Sequence, residues 1–352
     1  MAYTTIDDSS LYFRVKTFNG SSSDGNAITW DETHSNMQPD WLWLKNRTAA
    51  QEHWLADSVR GTGKFLESNS TNAESSDGAS GLASFDTNGF TVNDSARTNR
   101  NTMVGWGWKA GTSFSNDASA TSVGTIDSSG SASSDAGFSI VSYTGTGSAG
   151  TIKHGLSTAP AVVLVKSRGG TFGWGMYHHK NTSAPETDYL SINNTDATVD
   201  DSVFWNDTAP TSSVFSLGGT DAINKASTTH IAYCFADVKG YSKFNSYSGS
   251  GSASGNFIHL GFKPSLIILK GNNTENWSMY DNKRLGYNVD NNVLYPNTIG
   301  TEGTSDDIDF LSNGFKIRRQ TGLLNDSGVE YIYMAFAESP FVNSKGVPNN
   351  AE

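Results

Sequence analysis

The chain has 352 residues, room for two or three domains, and only 17% of them are charged, with a net charge of −11. This balance excludes a highly charged disordered chain and disfavours a protein that grips nucleic acid through its phosphates, which needs a basic patch. Hydrophobic residues make up 36%, and Gly, Ser, Thr, Asn and Asp fill the deficit, as suits thin β domains with many turns.

Residues 1–15 read as a polar arm whose one sticky patch is Leu11-Tyr12-Phe13. The start has no basic segment and no apolar core, so no signal peptide is expected. No apolar run reaches the ~20 residues that span a bilayer. A first repeat is expected over 16–111. Its Trp41-Leu42-Trp43-Leu44 is too short for a helix without caps and predicts a buried strand. Asp57-Ser58-Val59-Arg60-Gly61 predicts a turn with a local ion pair, and residues 70–84 a surface loop. Asn88-Gly89 is a hairpin signal. Met103-Val104-Gly105-Trp106-Gly107-Trp108 alternates bulky and glycine positions, like a strand with one buried face. Residues 112–138, almost all small or polar, are a flexible linker or a pair of edge strands. A second repeat is expected over 139–240, a third over 241–341, and a polar tail over 342–352.

The repeats share landmarks in one order. Pro39-Asp40-Trp41-Leu42-Trp43-Leu44-Lys45 returns as Pro160-Ala161-Val162-Val163-Leu164-Val165-Lys166 and as Pro264-Ser265-Leu266-Ile267-Ile268-Leu269-Lys270. Trp54, Trp174 and Trp277 follow them. Each unit then closes on an aromatic pair, Trp106 and Trp108, Tyr233 and Phe235, Tyr331 and Tyr333. The steps are about 100–120 residues, the size of one small domain rather than of a solenoid repeat. With many short strands, turn residues between them and no long amphipathic window, the expected fold is all-β: three tandem β-sandwich-like (jelly-roll-like) domains.

Motifs for chemistry are weak. Gly145-Thr146-Gly147-Ser148-Ala149-Gly150 matches a dinucleotide fingerprint, but no helix follows to receive the phosphate, so it reads as a turn. His178-His179 with His154 invites a metal, yet neighbours on a strand face opposite ways. Asp306-Asp307-Ile308-Asp309 and Asp200-Asp201 lack the spacing of a calcium loop. Lys283-Arg284 and Lys316-Ile317-Arg318-Arg319 are too short for nucleic acid. Cys234 is the only cysteine and reads as a small core residue. No catalytic, cofactor or metal residue is therefore expected. The spacing Trp-x-x-Tyr at Trp174 and Tyr177, and at Trp277 and Tyr280, makes these four candidate glycan or receptor contacts, but matched positions in repeats usually form the core, so core packing is the favoured reading.

The strand run ending in Lys, the downstream Trp, Ser213-Val214-Phe215-Ser216-Leu217 and Ala232-Tyr233-Cys234-Phe235-Ala236-Asp237 resemble tandem-domain structural proteins of marine tailed (cyanophage-like) phages. The opening Met1-Ala2-Tyr3-Thr4-Thr5-Ile6-Asp7-Asp8 fits the same pattern. The resemblance implies a non-enzymatic virion protein, a tail or fibre component that contacts other virion proteins and a host-surface glycan or receptor. A capsid-bound decoration or head-fibre protein, and a carbohydrate-binding module or glycan-active enzyme, are the alternatives. A homo-oligomer is expected, a trimer as in many phage fibres, made in the host cytoplasm, with no nucleic acid and no membrane insertion. Leu11, Tyr12 and Phe13 are its expected particle anchor.

Overall fold

In the computed structural model, which describes residues 4–77, 80–284, 288, 291–305 and 307–340, the chain is all-β, with 43% strand and 6% helix. Each repeat builds an antiparallel sheet from four strands in one order, lead, closing, middle, edge. The lead strands are Phe13–Asn19, Phe138–Thr144 and Ser242–Ser248. The closing strands are Thr102–Trp108, Thr229–Phe235 and Glu330–Pro340. The middle strands are the apolar runs, Trp41–Asn46, Val162–Ser167 and Phe262–Gly271. The edge strands are Trp54–Asp57, Gly175–His178 and Ser278–Asp281. A second, smaller sheet accompanies each. It comprises three strands in the first and third units and the pair Gly150–Lys153 with Val214–Leu217 in the second.

Side chains alternate across a strand, so each middle strand feeds two cores. Leu42 and Leu44, Val163 and Val165, and Ile267 and Leu269 turn toward the smaller sheet of their own unit, in three separate clusters. Trp41 and Trp43, Val162 and Leu164, and Leu266 and Ile268 turn the other way, into one cluster shared by all three units. Trp41 stacks on Tyr233 of the second unit at 4.5 Å, and Phe235 meets Phe336 of the third at 5.7 Å. The runs are continuously apolar because both faces of the sheet are covered.

Register corrects two landmarks. Leu44 pairs with Trp54, Val165 with Gly175 and Leu269 with Ser278. Trp54 therefore matches Gly175 and Ser278, while His53 stands where the other units have Trp174 and Trp277. A one-residue slip exchanges the faces of a strand, and Ala56 matches Tyr177 and Tyr280. Trp41, Val162 and Leu266 lie opposite Trp108, Phe235 and Phe336. The closing pair of the third unit is thus Met334 and Phe336, not Tyr331 and Tyr333. Gly107 turns toward the first unit's own core, where a Cβ would lie 2.7 Å from the Trp30 ring.

Residues 112–138 carry the strands Thr112–Asn116 and Ser128–Ser133, which extend the second unit's sheet beyond its lead strand. Within the expected loop 70–84 lies the short strand Ser75–Ser76, and the strand Leu82–Asp86 begins at its end. The expected anchor is also corrected. Phe13 opens the first lead strand, is buried, and stacks on Phe336 at 5.2 Å. Tyr12 meets Tyr241 edge-on, Ile6 enters the shared core, and only Leu11 is exposed. The arm closes one end of the core because its apolar residues complete it. The expected tail, 342–352, lies outside the described residues.

Candidate functional site

The side chains with most chemistry to offer gather at three seams, where each unit meets the next. Trp174 Nε1 of the second unit donates to the Glu67 carbonyl of the first at 2.9 Å. Trp277 Nε1 of the third donates to Ser191 of the second at 3.0 Å. At the matching place in the first unit His53 Nε2 donates to Tyr295 of the third at 3.1 Å. The backbone N–H groups of these donor residues go to Asn69, Asn193 and Asn297 of their own units. The same contact made from second to first, third to second and first to third closes the units into a ring.

Of the lysines ending the middle strands, Lys45 and Lys166 bond across a seam and Lys270 within its own unit. Lys45 Nζ donates to the carbonyls of Asn46 and Ile299, Lys166 to Thr71 and Phe172, and Lys270 to Gly271 and Asn273. All three are fully buried, and burial lowers each amine to about 8. A lysine near neutrality can act as a nucleophile, but these amines face backbone carbonyls and are closed to solvent.

Two seams carry buried ion networks. Arg60 Nε donates to Asp57 at 2.5 Å and its Nη2 to the Leu55 carbonyl, while Tyr233 of the second unit donates to Asp57 at 2.8 Å. Glu74 bridges Arg60 to Arg168 across the same seam. Burial opposes the Arg60 charge, but Asp57, Tyr233 and Glu74 outweigh it and raise its pKa. Between the third and first units the parts repeat: Arg284 with Asp281 at 2.6 Å, Trp106 Nε1 donating to Asp281 at 3.1 Å, and Glu302 bridging Arg284 to Arg47. Burial works against the Glu302 carboxylate, yet Arg47 and Arg284 hold it below the usual range.

The seam between the second and third units differs. Register places Met334 where the other seams have Tyr233 and Trp106, and a thioether cannot donate to a carboxylate. His178 stands at the aspartate position and Asn181 follows at the arginine spacing. Thr198 Oγ1 donates to the side-chain amide oxygen of Asn181. His178 Nε2 instead donates to the Tyr333 carbonyl at 3.2 Å.

These placements revise the sequence candidates. Trp174, Tyr177, Trp277 and Tyr280 are all buried. Both indole N–H groups are committed across seams, and Tyr280 donates to Asp307. Their rings have no face free for a sugar, because matched positions in the repeats are core positions. His154 donates to the Thr211 carbonyl and His179 to that of Phe244. Among the described residues no group of three or more His, Cys, Asp or Glu is placed to hold a metal. Arg284 is spent on Asp281, Arg318 on Asp309 and Arg319 on Asp307. Asp201 caps a short helix, and Asp306 lies outside the described residues. The Gly145 turn is followed by a strand. A shallow polar groove of about 290 Å³ lies over the added strands, lined by Ser115, Asp117, Asp127, Ser129, Ser142 and Thr144 among others.

Sequence reasoning missed the seam acceptors, although a signal exists: Leu66, Leu190 and Leu294 each precede an asparagine by three residues. Trp174→Phe keeps an aromatic ring of smaller volume and removes the N–H, leaving a buried carbonyl without its donor. An expected loss of about 1–3 kcal/mol is checked by chemical denaturation of the full chain.

A family model described as "Domain of unknown function (DUF7483)" matches residues 8–340, and the chain belongs to that family. No curated protein matches the sequence. The match covers all three units and their seams together.

Proposed function

We propose that this member of the family is a non-enzymatic structural protein of a tailed-phage particle, a tail or fibre component made of three β-sandwich units locked in a ring. The reading combines the sequence resemblance to phage structural proteins with one structural observation. Lys45 and Lys166, the two Asp–Arg networks, His53, His178 and His179, and the N–H groups of Trp106, Trp174 and Trp277 are spent on holding units together. Groups so engaged and desolvated supply rigidity, not turnover.

The surfaces that a homotrimer would bury between chains are buried here within one chain. In this reading a single molecule therefore fills a threefold position on the particle, in place of the expected trimer. Immunogold labelling or a particle reconstruction tests it: the chain is expected at a defined, repeated place on the tail. Finding it on the capsid shell would favour a decoration role. Absence from purified particles, or release of oligosaccharide from host polysaccharide, would overturn the reading.

A further inference from the structure

The three seams are built on one plan but not from one chemistry, and the difference falls on a single seam. Between the first and second units, and between the third and first, a buried carboxylate–guanidinium pair is closed by a Tyr or Trp donor. Between the second and third, no side-chain ion pair crosses among the described residues; the wide approach of His179 to Asp237 at 3.9 Å lies within the second unit. The seam is held by His178 and His179 on backbone carbonyls and by the Trp277 N–H on Ser191.

The bonding of His178 fixes its proton. Nε2 faces a carbonyl and must carry hydrogen, and Nδ1 accepts from the Lys180 backbone N–H at 3.2 Å. The ring is therefore neutral, and a second proton would place N–H against N–H. Its charged or titratable neighbours are His179 and Lys180 on its own turn, with Asp237 beside His179 and Lys243 beside Asp237. The residue opposite on the third unit, Met334, is uncharged.

We propose that the seam between the second and third units is the acid-sensitive gate of the ring, opened by protonation of His178 while the two ion-clamped seams stay closed. Burial, with His179 and Lys180 beside it, lowers His178 to about 3, whereas a released histidine titrates near 6.5. A depressed base favours the closed form fully above pH ~6.5 and progressively less below it. The opening constant therefore rises about tenfold per pH unit, or about 30-fold by pH 5. Asp237, raised by its own burial, works the other way. His53 is also buried and neutral, with Nδ1 accepting from Trp43. It lies in the seam that Asp281–Arg284 and Arg47–Glu302 also clamp.

Hydrogen exchange of the full chain at pH 7.5 and 5.0, corrected for intrinsic rates, tests the gate. Protection over Ser242–Ser248, the strand against which the His178-His179 turn rests, is expected to fall about 30-fold. Protection over residues 138–141, where Phe138 stacks on Trp41 across the first seam, is expected to change far less. His178→Gln keeps a donor that does not titrate and is expected to abolish the difference. If that variant fails to fold, the triple change His178→Asp, Asn181→Arg, Met334→Tyr copies the first seam and should flatten the profile in the same way. Equal loss of protection at every seam, or an unchanged profile in the variant that folds, would overturn the proposal.

Discussion

Expressed separately, residues 16–111, 139–240 and 241–340 are expected not to fold as stable monomers, and the full chain to melt in a single transition. Each four-stranded sheet covers one face within its own unit and the other only in the shared core. The first unit alone would expose Trp41, Trp43, Trp106 and Trp108, each now at most 2% accessible. Burying one large apolar side chain is worth about 1.5–3 kcal/mol, so four of them rival the ~5–15 kcal/mol of a whole domain. Trp41→Ala in the full chain should cost about 3–5 kcal/mol and lower that one transition as a whole. Calorimetry of the full chain and size-exclusion of the fragments check both. Three separable transitions, or a soluble, folded third unit on its own, would contradict the shared core. Ile267→Ala and Ile268→Ala should each lower the same transition of the full chain, since Ile268 lies in the shared core and Ile267 in its unit's own.

Asp57→Ala is expected to destabilise the chain by about 3–5 kcal/mol, the usual cost of removing one partner from a buried ion pair. It leaves Arg60 charged and buried with Glu74 at the edge of the network, and strips Tyr233 of its acceptor. Tyr233→Phe alone removes one donor and should cost less, about 0.5–1.5 kcal/mol. The double variant should fall short of the sum, because the hydroxyl has no acceptor once Asp57 is gone. Asp281→Ala should match Asp57→Ala, since Trp106 and Glu302 repeat the network. Urea unfolding of the four variants checks these values. Additive losses would mean that Tyr233 and Asp57 are not coupled across the seam.

Much was legible before folding. The three apolar runs, their terminal lysines and the Asn88-Gly89 turn mark repeated β units because periodicity and turn chemistry are local properties of the chain. Asp57 and Arg60 pair within one turn, so their ion pair was legible as well. The destination of the outer faces was not. Trp41-Leu42-Trp43-Leu44 is apolar on both sides, and such a run announces burial without saying whether its own unit or a neighbour covers it. For the same reason Trp174 and Trp277 were open to two readings, core or surface contact: an indole with its N–H on another unit's carbonyl has the same local sequence as one facing solvent. The slip between His53 and Trp54 arose because similarity of residue type favours Trp with Trp, whereas pairing along the sheet sets which side chain faces the seam. The Met334, His178 and Asn181 substitutions are far apart in sequence and gain meaning only where the second and third units meet. Local chemistry specified the strands; the covering of their second faces, which no single repeat can provide, specified the ring.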